Sequence, residues 1–128
     1  MADYSASQVI CNGQSVIQVC GVNKNRSEAA SLNFFDTESM QYTGVLEGGA
    51  LPVALFSTAQ VDDAIIVAGG TANTQDGLPS TECFSLSKSG QVQKIAQMKI
   101  ARKEFAMVYW PVTEKLYAFG GARAAAFT

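Results

Sequence analysis

Few residues in this 128-residue chain could carry out chemistry. It contains no histidine. That removes the commonest general base, the Ser/His and Cys/His nucleophile pairs, and most zinc or copper sites. The three cysteines, Cys11, Cys20 and Cys83, stand 9 and 63 residues apart, spacings that match no zinc pattern. An odd number cannot all pair within the chain, so reduced thiols on strands are expected. Asp62-Asp63 is the one adjacent acidic pair at a turn signal. Neighbouring strand residues point to opposite faces, so two solvated turn carboxylates are expected there, not an acid/base pair. No catalytic residue, metal ligand set or cofactor is expected.

Composition narrows the partner classes. Net charge is −2, the pI is near 5.0 and the basic residues are scattered, which argues against a nucleic-acid binder. Hydrophobic residues make up 48% and charged ones 16%, enough apolar material for a core and too little charge for disorder. The N-terminus lacks the basic start and apolar run of a signal peptide. No apolar run approaches the ~20 residues that span a bilayer. A soluble cytoplasmic protein with no membrane partner is the expectation.

The elements that position the polar residues repeat. Asp62-Asp63-Ala64-Ile65-Ile66-Val67-Ala68-Gly69-Gly70 returns as Glu114-Lys115-Leu116-Tyr117-Ala118-Phe119-Gly120-Gly121, and Gly69 and Gly120 are 51 residues apart. A weaker copy, Ser15 to Gly21, lies 48 residues before Gly69. Repeats at this period indicate an array of similar units. The spacing of 13 residues from Gln8 to Gly21, Phe56 to Gly69 and Met107 to Gly120 predicts a hairpin of constant length in each.

Runs of β-branched and aromatic residues between turn signals predict strands at 7–11, 16–20, 29–36 and 40–46. Asn12-Gly13 is a hairpin signal, and Asp36-Thr37-Glu38-Ser39 a turn in which the aspartate bonds the backbone ahead of it. The second unit predicts strands at 53–59, 64–68, 82–86 and 91–96. The third predicts strands at 105–110 and 116–119. Only 92–100 has arguable helical spacing, and its place in the repeat makes it strand. The fold class is all-β, with an unrelated sandwich or barrel of short strands as the competing architecture.

Four strands per unit, a period near 50 and a second strand ending in Gly-Gly resemble the kelch repeat. Leu116-Tyr117-Ala118-Phe119-Gly120-Gly121 looks like that family's second strand, and Phe34-Phe35-Asp36 like its third. Arg102 precedes a first strand, as an arginine does in many kelch repeats. The departures are Tyr42 and Val92 where the family usually has a fourth-strand tryptophan, Leu51 in place of a crossover arginine, and a diglycine half lost at Gly21-Val22. The resemblance implies kelch-like β-propeller blades in a single segment: one blade at about 7–46, a second at about 53–96 and a partial third at about 105–121. Propellers close with about 4–8 blades. A piece of a longer protein, or self-association to complete the ring, is therefore expected.

In propellers similar to this one, the loops after the second strands and the crossovers share one face, where partners dock. That implies Lys24, Arg26, Asn73, Gln75, Asp76 and Lys103 as partner-binding residues. Gly21, Gly69, Gly70, Gly120 and Gly121 would be structural, and Arg102 would bond loop carbonyls between blades. Tyr109 and Trp110 are expected in the core. Some kelch propellers are copper oxidases, and that activity depends on histidines this chain lacks. The expected function is a protein-interaction module that binds another protein and is not an enzyme. The alternatives are a segment of a propeller enzyme acting on a sugar-type substrate (an isomerase or hydrolase) and an inactive fragment.

Overall fold

Short apolar runs separated by Asp, Asn, Ser and Gly leave no segment long or periodic enough for a helix, and strands form instead. A computed structural model describes residues 7–12, 15–20, 31–47, 51–52, 54–71, 77–87 and 91–121, which contain strands and no helix. No helix is long and apolar enough to cross a membrane. The first sheet is an antiparallel meander of β1 (Ser7–Asn12), β2 (Ser15–Cys20), β3 (Ser31–Asp36) and β4 (Gln41–Glu47). The second repeats it with β5 (Ala54–Val61), β6 (Ala64–Thr71), β7 (Cys83–Leu86) and β8 (Val92–Ile95). The third holds β9 (Ala106–Trp110) and β10 (Lys115–Phe119). The strand expected at 91–96 forms as β8, and the helical alternative for 92–100 does not.

Three sequence expectations are corrected. First, β6 does not stop at the glycines. Gly69 and Gly70 lie inside it, and it runs on to Thr71. Second, the hairpins differ in length. Asp62-Asp63 alone joins β5 to β6, whereas residues 111–114 join β9 to β10. Pro111 has no N–H to give the ladder, and the wider turn is closed by Glu114 N–H donating to Pro111 O at 3.3 Å. Phe56 pairs with Gly69, but Met107 pairs with Ala118 and Gln8 with Val19. The counterpart of Phe56 is thus Phe105, one step outside the Ala106–Phe119 pair and opposite Gly120. In the first sheet Ser7 faces Cys20, so Cys20 takes the place of the first glycine. Third, Trp110 is not in the core: it is 53% exposed, while Tyr109 is half-buried.

The core lies between the first two sheets. Phe56, Ile65, Val67, Phe84 and Leu86 of the second sheet pack with Leu32 of the first and with Leu51 of the crossover. Phe34 and Val92 pack against its rim. Leu51 is 4% exposed, so the residue in the arginine position of this crossover serves as core. On the first sheet, Thr43 is the extra residue of a bulge where β4 passes β3 between Phe34 and Phe35. Among the described residues no buried side-chain polar atom lacks a partner.

Turn chemistry behaves as the sequence predicts at Asp36. Its carboxylate accepts from Ser39 N–H at 3.1 Å and Glu38 N–H at 3.3 Å. A Ser39 side-chain hydrogen bond, then these backbone donors, hold the carboxyl below its ordinary value. A depressed folded pKa stabilises the turn above the unfolded aspartate's pKa, and that contribution is lost as pH falls through the lowered value. Residue-resolved NMR titration should place the Asp36 midpoint below the usual aspartate range, and Ser39→Ala should move it back up. In the core, Leu86→Ala should lower unfolding stability by about 3 kcal/mol in urea titration, since Leu86 is fully buried.

Candidate functional site

Of the polar candidates Lys103 is among the described residues, at one end of the sheets, and the backbone there explains how it is held. In an antiparallel meander the β6–β7 connection and the exit from β8 lie at the same end, opposite the Asp62-Asp63 hairpin. At this end the β5–β6 ladder opens for one pair of residues. Ala54 pairs with Thr71 and Phe56 with Gly69, but Leu55 and Gly70 between them do not pair. The crossover takes up what the ladder releases. Gly70 N–H donates to Arg102 O, and Glu104 N–H donates to Leu55 O, each at 2.9 Å. Arg102 N–H donates in turn to Ser80 O at 3.1 Å, and Ser80 N–H to Gly70 O at 2.9 Å. Ser57 Oγ, buried on β5, donates to Phe105 O.

Leu55 and Glu104 both hold positive φ, 61° and 54°. They stand immediately before Phe56 and Phe105, the two residues that occupy equivalent places in their sheets. A bulky residue in this region costs about 1–3 kcal/mol, so the surrounding bonds must over-determine it. Sequence reasoning missed both residues, because neither Leu nor Glu signals a left-handed conformation.

Phe105 then wedges between two glycines. A Cβ on Gly69 (φ 66°) would stand 2.5 Å from Arg102 O and 2.6 Å from the Phe105 ring. A Cβ on Gly121 (φ 94°) would stand 2.6 Å from Lys103 O and 2.8 Å from Phe105 Cβ. Both approaches are too close for any side chain, so glycine is required by contact as well as by φ. Gly120 differs: at φ 71° it has open space around it.

Two side chains tie this end together. Arg102 Nη1 donates to Gly120 O at 2.7 Å, linking the crossover to the end of β10. Lys103 Nζ donates to Gly77 O at 2.6 Å, within the β6–β7 connection. Lys103, expected as a partner contact, thus also anchors that loop. Asn73, Gln75 and Asp76 in the same loop, and Lys24, Arg26 and Gly21 after β2, lie outside the described residues. So the crossover and one predicted binding loop are joined at Gly77.

The opposite end offers less. A cleft of about 670 Å³ is lined by Val61, Asp62, Asp63, Ile66, Ser85 and Ser87. Both aspartates are exposed at the hairpin. Among the described residues no three His, Cys, Asp or Glu side chains converge as a metal site. Cys83 is buried and free, its Sγ 3.8 Å from Thr81 O, and burial pushes its thiol pKa up. A raised pKa disfavours the nucleophilic thiolate.

The fold and this end define an all-β protein of successive antiparallel meanders joined through a crossover. No protein-family model and no curated protein matches the sequence. Among solved structures, the fold is similar to a fungal alcohol oxidase of the AA5 family in complex with copper. The TM-score is 0.69 and the identity 11%, over 94% of this chain and 26% of that one. It is also similar to YjhT, with TM-score 0.60 and 11% identity, over 94% of this chain and 62% of that one. This chain therefore spans about a quarter of the oxidase and less than two-thirds of YjhT. At such identity the likeness is one of fold. The residues present do not fit a copper centre built on imidazoles, because the chain has no histidine.

The glycine wedge can be tested by stability. Gly69→Ala should cost about 3 kcal/mol in urea unfolding, combining left-handed strain with the collision at Arg102 O, whereas Gly120→Ala should cost only about 1 kcal/mol.

Proposed function

We propose that the sheets are blades of a kelch-like β-propeller and that the chain acts as a protein-interaction module. The rigid blades display the β2–β3 and β6–β7 loops and the crossovers toward a protein partner. The observation that carries this reading is the Lys103–Gly77 tie, which fixes a polar crossover against a polar loop at one end of a backbone-locked joint. Binding residues are commonly found on loops that a rigid scaffold holds in place. The two four-strand meanders, the diglycine returning 51 residues later at the end of the third sheet, and the likeness in fold to two larger solved proteins support this reading.

A second reading has one observation in its favour, the fold likeness to an alcohol oxidase. In it the chain is a segment of a propeller enzyme acting on a sugar-type substrate, with carboxylates or arginines converging from other blades.

Two measurements separate the readings. On this reading the triple variant Asn73→Ala, Gln75→Ala, Asp76→Ala should keep its melting temperature within about 3 °C. It should also lose at least tenfold in affinity for any protein that the unaltered chain retains in a saturable binding assay. A saturable rise in melting temperature with monosaccharides would instead support the enzyme reading, because a ligand stabilises the state it binds. Undiminished protein binding by the triple variant would count against the loop site.

A further inference from the structure

Two faces of this chain carry large apolar side chains that no described residue covers, and they stand at opposite ends of the series of sheets. On the third sheet, Val108 pairs with Tyr117 and Ala106 with Phe119, and Trp110 follows on the same face. Val108, Trp110, Tyr117 and Phe119 are all exposed, Phe119 at 59%. On the first sheet, Phe35 pairs with Tyr42, and their rings meet edge to face at 5.2 Å. Tyr42 is 52% exposed, on the side opposite Leu32 and Phe34.

The internal repeat shows what such faces meet. Cys20 pairs with Ser31 as Gly69 N–H bonds Glu82 O, so Phe35 corresponds to Leu86 and its partner Tyr42 to Val92. Leu86 and Val92 pack in the core, which the first sheet covers through Leu32. Phe105 corresponds to Phe56, so Val108 and Trp110 correspond to Ala59 and Val61. Tyr117 and Phe119, 51 residues after Ile66 and Ala68, take their places. Ile66 and Ala68 are buried on the side of the second sheet that carries Ser57, the residue bonded to Phe105 of the third. Within the chain, then, a face of the Ile66 kind and a face of the Leu86 kind are both covered, and by neighbouring sheets.

We propose that a second copy of this chain supplies the missing cover. The Val108–Trp110–Tyr117–Phe119 face of one copy packs on the Phe35–Tyr42 face of the next, head to tail. The junction is sheet on sheet, with aromatic rings from both sides at its centre. Because the two faces differ, the contact is heterologous and propagates until a ring closes. The proposal deepens the propeller reading and rests on it, but it uses neither the loops nor Lys103.

The test is light scattering after size-exclusion chromatography over a range of concentrations, with the emission of Trp110, the single tryptophan. The unaltered chain should show masses at multiples of 13.6 kDa that grow with concentration, with a blue shift as Trp110 leaves water. Tyr42→Asp should run as a monomer, and so should Trp110→Asp combined with Phe119→Asp. Mixed one to one, these two variants should form a dimer and nothing larger, since each retains the face that the other lost. That rescue also shows that both are folded. A strictly monomeric unaltered chain, or association with an unshifted Trp110, would overturn the proposal. So would folded variants that stay monomeric when mixed, or variants that assemble alone. None of these outcomes bears on the loop variant above, so the two readings fail separately.

Discussion

The structure depends on one exchange of backbone hydrogen bonds. For a single residue pair, Leu55 and Gly70, the β5–β6 ladder lets go, and the crossover occupies the opening through Arg102 O and Glu104 N–H. A released N–H or C=O left unpaired away from water would cost about 1–3 kcal/mol. The crossover therefore has a fixed address on the second sheet. Everything that follows in the chain inherits that address. Phe105 is set between Gly69 and Gly121, β9 is brought against β5, and Lys103 reaches Gly77 in the β6–β7 connection.

This arrangement separates the apolar core from the joint to the third sheet. The apolar core sits between the first two sheets, around Ile65, Val67, Phe84 and Leu86. The joint to the third sheet is polar and uses main-chain groups.

Much of this was legible in the residues. Alternating β-branched and aromatic runs gave the strands. The diglycine period gave the repeat, and Asp36 and Ser39 gave their turn. Three features were not legible, each for a physical reason. Leu55 and Glu104 take left-handed backbone because of bonds made by residues about 50 positions away, which no local signal encodes. The shift of Phe56's counterpart from Met107 to Phe105 arises because Pro111 widens one turn, so a constant interval in sequence is not a constant register. Trp110, expected in the core, is exposed. Exposure depends on which elements pack against the residue, and its own type does not encode that.

The main-chain character of the joint has a consequence for inheritance. Every amino acid except proline brings the same N–H and C=O, so most of the bonds that dock the crossover place no demand on side-chain identity. Only the glycines at the wedge, and residues able to bear the turned backbone, are constrained. A lineage can then rewrite most of its letters while the joint stays shut. Such a joint is compatible with fold likeness at 11% identity, where no family model and no curated protein matches.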